Sequence, residues 1–511
     1  MNSKSDKDFP ETAPSNPVGI WIEPTTRCNT RCAHCTHYYR QFGCDMDPGV
    51  YRKVRALMLD RVTSVELLGC GEPLLAGNFW ELFEDCDQRG LDMVTSTNGL
   101  LLQKDEILKR LVRSRITLTL SIDGARKETF EFVRPFIKWE TMLDILKRIR
   151  EAAGEAGDER RFRFRVNFVA MKQNIEDLPD LVNLVAKHGA QMIVVLPLGG
   201  EEIYSVMKDQ GLYEEPRLIS RIYRKTLKTA LRHKISISLP PAFRRMMVKG
   251  AIGGDGILDK IGSIGRLADI ALLFLRRDGP GYFLQKLVQF IKPRDHGGLN
   301  YCRMPWNNTY FAVDGKIFPC CVIGQEMGDL ATQEWDEIWN GQAYRNLRRT
   351  IHSWNPTEVC RMCVLPDGIN GGDARRYEKK FRRYRVEEIP LDHTSVEFGE
   401  GFYELEKTDG KPSHRWMSKR GELILSMPRG ARFLRLLIIR REPEGRLNPG
   451  RCRINGGPPE PFDNTCGELN FPLSLVRDSK LHVVLEMENA FQIGRDPRDL
   501  ALAIRGIRFL S

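Results

Sequence analysis

Between residues 18 and 240 the chain alternates short β-type runs with amphipathic helical runs. That rhythm admits few folds. Strands are expected over 18–23, 63–68, 92–96, 116–121, 163–170, 191–196 and 235–239. Helical patterns over 49–59, 78–88, 104–113, 139–153 and 177–187 fall between them. A strand–helix–strand repeat forces parallel pairing through right-handed crossovers. The count fits a full or partial (β/α) barrel, an α/β fold whose chemistry sits at the C-terminal ends of the strands. Four candidate loops fall at such ends: the run after residue 23, Gly69 to Pro73, Thr97 to Gly99, and Ser121 to Gly124.

The first loop reads Arg27-Cys28-Asn29-Thr30-Arg31-Cys32-Ala33-His34-Cys35. Cys28, Cys32 and Cys35 can ligate three irons of a four-iron cluster and leave the fourth without a protein ligand. A structural zinc site would ordinarily draw four ligands from two pairs, which a lone triplet does not offer. Downstream stand Cys302, Cys320 and Cys321, then Cys360 and Cys363. Cys302, Cys320, Cys360 and Cys363 can close a four-thiolate site for zinc or a second cluster, with Cys321 as the alternative to Cys320. The other cysteines, Cys44, Cys70, Cys86, Cys452 and Cys466, read as buried thiols.

The triplet resembles the cluster loop of the radical SAM superfamily, although the residue before the last cysteine, usually aromatic there, is His34. The resemblance implies a [4Fe-4S] cluster that binds S-adenosyl-L-methionine and cleaves it reductively to a 5′-deoxyadenosyl radical. Gly69-Cys70-Gly71-Glu72-Pro73 resembles the family's glycine-rich motif. It implies close backbone approach to the cofactor and a carboxylate, Glu72, for its amino group. Asn98, Ser121 and Arg134 are the further cofactor-binding candidates, with Asn167 and Asn174 less directly placed. The second cysteine group, with Gly328-Asp329-Leu330 and Glu337-Ile338-Trp339-Asn340-Gly341 between its halves, resembles the SPASM and twitch auxiliary domains. Five cysteines rather than about seven imply one auxiliary [4Fe-4S] cluster.

The expected organisation is a flexible N-terminus over 1–17, the partial barrel over 18–245, an inserted helical hairpin over 246–298, the auxiliary domain and linker over 299–390, and an all-β sandwich over 391–511. The hairpin places apolar residues at helical spacing with basic residues at its edges. It can contact a membrane peripherally through 256–292 or pack on the protein itself. No run of eighteen apolar residues and no signal-peptide core is present, so a cytoplasmic location is expected. The formal charge of +11 is scattered, and no helix-turn-helix, zinc-finger or RNP pattern accompanies it, so no nucleic-acid partner is expected.

The function expected is hydrogen abstraction from a sugar, nucleotide sugar or glycolipid, leading to oxidation or epimerisation. An electron donor such as a flavodoxin or ferredoxin would serve it. The sugar expectation rests on the basic charge, the hairpin and the β module, where Tyr403, Trp416 and the Asp496–Leu500 region faintly resemble modules of glycan-assembly enzymes. The alternative is maturation of a ribosomal peptide or protein. The shortness of the segment before the barrel was expected to weigh against it. A non-catalytic iron–sulfur or zinc protein is the third reading.

Overall fold

A computed structural model describes residues 9–35, 43–157, 161–198, 208–251, 272, 302–321, 325–361, 363, 385–408, 411–439, 448–473, 476, 478–491 and 498–511. The hairpin expected over 246–298 lies outside them, apart from its first residues and Leu272, as does most of the charged linker over 366–390.

Seven strands form the expected parallel array: β1 (Gly19–Ile22), β2 (Ser64–Leu67), β3 (Asp92–Thr97), β4 (Ile116–Ser121), β5 (Arg163–Ala170), β6 (Met192–Pro197) and β7 (Ser236–Ser238). Each pairs parallel with the next in sequence. β7 does not return to β1, so the barrel is partial. Alternation decides which face is which. In β5, Phe164, Val166 and Phe168 are buried beneath the outer helices, whereas Arg165 and Asn167 are only partly buried and face the lumen. The amphipathic helices Pro48–Met58, Phe79–Gln88, Asp105–Val112, Trp139–Ala156 and Leu178–Ala186 cover the outer face. A further helix, Pro216–His233, precedes β7.

The free edge of β1 is occupied. β8 (Asn308–Phe311) pairs parallel with it, and β9 (Lys316–Phe318) and β10 (Gly328–Asp329) follow antiparallel. Ten strands therefore make one sheet, in the order β10-β9-β8-β1-β2-β3-β4-β5-β6-β7. The second cysteine group is thus built onto the barrel's own sheet. One apolar core runs through both, from Ile20, Val65 and Leu118 to Ile317, Leu330 and Trp335.

Residues 9–17 correct an expectation. Far from hanging free, this stretch is strapped across the helices near the second cysteine group. The indole nitrogens of Trp306, Trp335 and Trp339 donate to Pro10 O (2.6 Å), Asn16 Oδ1 (2.9 Å) and Ser15 O (2.8 Å). A buried indole N–H needs an acceptor, and this segment supplies three.

The C-terminal part holds two antiparallel sheets. The first contains β11 (Val386–Ile389), β13 (Phe402–Thr408), β14 (Lys411–Met417), β16 (Phe433–Ile438), β19 (Glu468–Pro472) and β21 (Leu502–Leu510). The second contains β12 (Val396–Phe398), β15 (Arg420–Ser426), β17 (Pro449–Ile454), β18 (Glu460–Asp463) and β20 (Lys480–Met487). They share one core that includes Leu423, Leu436, Phe471, Val483 and Ile504, as a sandwich must. Buried polar contacts join it to the segment carrying the second cysteine group. Asn346 Nδ2 donates to Asp463 Oδ2 (2.9 Å) and Arg361 Nη1 to Glu468 O (2.8 Å).

Candidate active site

The cysteine loop leaves the C-terminal end of β1 and is tied down along its length. Glu72 N donates to Arg27 O (2.8 Å), Asn98 Nδ2 to Asn29 Oδ1 (2.7 Å), and Ala33 N to Val133 O (3.1 Å). The loops after β2 and β3 and the end of the helix Lys127–Val133 therefore fix where the thiols stand. The Thr30 hydroxyl lies 3.3 Å from Cys28 Sγ and 3.7 Å from Cys32 Sγ. Burial raises the Cys28 thiol above its ordinary pKa, with hydrogen bonding from Thr30 opposing that shift.

Arg134 sits at the centre of the electrostatics. Its guanidinium is buried. Nε and Nη2 reach Asp123 Oδ2 at 2.8 and 2.7 Å, and Nη1 donates to Cys32 Sγ at 3.3 Å. A fixed cation beside a thiol favours the thiolate, the form that binds metal. Sequence reasoning placed Arg134 on the cofactor's ribose or carboxylate. In the structure its donors are committed to Asp123 and Cys32. Asp123 is the residue that reasoning missed: it is fully buried, and Asp123 Oδ1 also accepts from Val169 N (2.7 Å). Its position in the Ser121–Gly124 turn was the available signal.

Glu72 is likewise turned inward. Glu72 Oε1 accepts from Thr97 Oγ1 (2.6 Å) and Oε2 from Asn98 N (2.7 Å), with only 3% of the residue exposed. Burial pushes its pKa up to about 7. Asn98 is committed too, since its Oδ1 accepts from Leu100 N (3.0 Å). The two residues lock the second and third strand ends together beneath the cysteine loop. Ser121 is the one cofactor-binding candidate whose side chain stays partly exposed without a hydrogen bond among the described residues. Asn174 is a latch: its amide donates to Asp123 O and Val169 O, and it is fully buried.

The glycines expected to admit a ligand admit other parts of the protein. A Cβ on Gly69 would meet the Glu23 side chain at 2.4 Å, and one on Gly71 the carbonyl oxygens of Thr25 and Arg27 at 2.5 Å. Glu23, another residue missed from sequence, accepts from Cys70 N (2.8 Å) and joins the ends of β1 and β2. The His34 ring is mostly buried, which lowers its pKa, and its Nε2 lies 3.7 Å from Asp123 Oδ2.

The second group gathers around Cys360. Burial raises that thiol well above its ordinary pKa, and Cys363, Cys302 and Cys320 add to the shift by proximity. Burial raises Cys321, next in sequence to Cys320, to about 12, and Glu66 and Cys363 add to the shift. Cys321 packs with Cys320 against Trp21, Tyr310, Ala312 and Phe318.

None of the thirteen cysteines, all among the described residues, is joined in a disulfide. Among the described residues no three His, Cys, Asp or Glu side chains converge tightly enough to share one metal ion. A cubane cluster offers each thiolate its own iron, so its ligands need not converge in that way. Three thiols on one loop beside a fixed cation, and a buried four-thiol group, fit such clusters.

Two family descriptions match the chain: "Radical SAM superfamily" over residues 22–185 and "Iron-sulfur cluster-binding domain" (SPASM) over 302–364. Each span contains one cysteine group. An AdoMet-dependent heme synthase from Methanosarcina barkeri is 23% identical over 384 residues, covering 70% of this chain and 90% of the relative. The mycofactocin maturase MftC of Mycobacterium tuberculosis is 22% identical over 259 residues, covering 48% of this chain and 63% of the maturase. Against several curated relatives the chain spans only about half of their length, down to 46%. Among solved structures, Streptococcus suis SuiB bound to the precursor peptide SuiA matches at a TM-score of 0.49 and 16% identity, over 74% of this chain and 75% of SuiB.

Proposed function

This chain is a radical SAM enzyme with a SPASM iron–sulfur domain, and on that premise we propose that it modifies a peptide or protein substrate. A SAM-binding [4Fe-4S] cluster and an auxiliary cluster go with that membership. Bound together, the first cluster and S-adenosylmethionine supply a 5′-deoxyadenosyl radical that abstracts hydrogen.

In this proposal Cys28, Cys32 and Cys35 hold the first cluster, and Cys302, Cys320, Cys360 and Cys363 the second. Cys320 is preferred to Cys321 because it is among the thiols felt by Cys360, whereas Cys321 feels Glu66 first and, of the group, Cys363 alone. Arg134 donates to Cys32 Sγ, holding it in place, and is itself aimed by Asp123. Glu72 and Asn98 hold the strand ends rigid under the cofactor, and Ser121 offers a hydroxyl at the pocket's edge. The sheet that continues from β1 into β8 joins the segments that carry the two cysteine groups, and in this proposal a substrate meets both the radical and the second cluster.

The observation that carries the peptide reading is the relationship to the mycofactocin maturase MftC over 259 residues. The features that suggested a sugar do not support one. Trp416 is 5% exposed, packed with Leu500 and Ala503, and the Tyr403 hydroxyl donates to Asp499 O (3.2 Å). Neither ring is free to stack on a sugar face. The hairpin expected over 246–298 lies almost wholly outside the described residues, and among these no helix is long and apolar enough to cross a membrane. The test is anaerobic reconstitution, then mass spectrometry of candidate precursor peptides encoded beside this gene, incubated with reductant and S-adenosylmethionine. A mass change of the peptide coupled to 5′-deoxyadenosine supports the reading. Modification of a nucleotide sugar, with every peptide unchanged, refutes it.

A further inference from the structure

Two oppositely charged side chains, Glu66 and Arg165, project from lumen-facing strand positions. Glu66 stands on β2 in register with Trp21 of β1, whose side chain hydrogen-bonds to it. The only donor of that side chain is the indole N–H, so one Glu66 acceptor is used and others remain. Arg165 stands on β5, paired in register with Thr119 of β4. Its Nε donates to the Thr119 hydroxyl at 2.5 Å. Its terminal nitrogens, carrying four N–H donors, have no partner among the described residues.

Both side chains are partly buried and project from lumen-facing positions. Each perturbs the other's ionisation, Glu66 holding a carboxylate against burial and Arg165 a cation against burial. No direct ion pair joins them among the described residues. Two desolvated charges that attract across a gap are an unfinished arrangement, because their mutual contact would have offset the desolvation cost. What completes it must present an acceptor to Arg165 and a donor to Glu66.

We infer that Glu66 and Arg165 bind one peptide unit of the substrate, Arg165 donating to its carbonyl oxygen and Glu66 accepting from its N–H. A trans peptide points these two groups in opposite directions, which suits a fixed donor and a fixed acceptor on opposite walls. Cys321, which feels Glu66, lies on the same wall as the second cysteine group. The clamp therefore seats the backbone beside Cys320 and Cys321. This inference rests on the peptide reading of the function and names the residues that select for it.

The test uses holoenzyme and a library of N-acetyl, C-amide hexapeptides, with glucose and UDP-glucose as the competing probes. Binding is followed anaerobically by saturation-transfer NMR and titration. Arg165→Gln and Glu66→Gln should each weaken the best hexapeptide by roughly 10- to 100-fold. Substrate-free cleavage of S-adenosylmethionine and the melting temperature should hold, since neither residue touches the cysteine loops. If Arg165→Gln does not fold, Arg165→Lys, which keeps the charge without the planar fork, should still weaken binding by about tenfold. Wild-type peptide binding that survives both substitutions overturns the clamp and leaves the peptide reading intact. Binding of UDP-glucose with no hexapeptide bound overturns both.

Discussion

The two cysteine groups solve opposite problems. The first is local: three thiols within eight residues, on one loop, with a buried guanidinium donating to Cys32 and a hydroxyl beside Cys28. The second is assembled from three separated stretches of chain and lies in an apolar setting, where burial and neighbouring thiols both raise Cys360. A site with fixed polar help beside two of its three sulfurs suits a cluster with an open coordination position. A dry group of four thiols suits a closed one. The difference separates a reaction centre from a redox or binding partner within one continuous sheet.

That contrast breaks most visibly at the ligands. Cys28→Ala should abolish reductive cleavage of S-adenosylmethionine, a loss above about 100-fold, because even changes outside the ligand set cost metal sites about 10- to 100-fold. About four irons per chain should remain in the second site. Cys360→Ala should do the reverse. It should cost about four irons, keep substrate-free cleavage, and stop turnover of the substrate. Iron analysis with a 5′-deoxyadenosine assay reads both.

Arg134→Gln probes the support of the first site. It strands the Asp123 carboxylate, which is fully buried. Removing one partner of a buried pair should cost about 3–5 kcal/mol, read by denaturant unfolding. Trp416→Ala sharpens the comparison from the other side. A cavity in the sandwich should cost about 3 kcal/mol and leave cleavage unchanged.

The smallest effect is a pH dependence of cofactor-free protein. The folded pKa of Glu72, about 7, lies above the unfolded value. Between roughly pH 4.5 and 7 the folded state therefore holds a proton that the unfolded state has lost. Glu72 should destabilise the fold progressively as pH rises through that window. The difference in unfolding free energy between wild type and Glu72→Gln should drift accordingly by up to about 3 kcal/mol, and a flat difference would remove the buried proton.

Much of this fold was legible because alternation and helical periodicity report burial directly. The strand expected at 163–170 is β5, residue for residue, and 116–121 is β4. What was not legible depends on long-range pairing. Nothing in Asn308–Phe311 says that it will extend the barrel's sheet at β1, since a short apolar run carries no record of its partner. The cysteines stand out by spacing, but their supports do not. Asp123, Glu23 and Thr97 matter through what they reach across strand ends, and Gly69 and Gly71 through what they let pack. The same holds for Glu72, Asn98 and Arg134. Motif position singled them out, yet their side chains are spent on the protein's own loops. The flexible N-terminus was misjudged because polar composition does not reveal three indoles waiting for acceptors.

The central claim is that one chain carries an open cluster and a closed one on segments joined by one sheet. Iron and 5′-deoxyadenosine measured together on anaerobically reconstituted wild-type protein test it most directly. The account predicts about eight irons per chain, with cleavage of S-adenosylmethionine under reductant. About four irons with zinc in the second site, or eight irons with no cleavage, would contradict it.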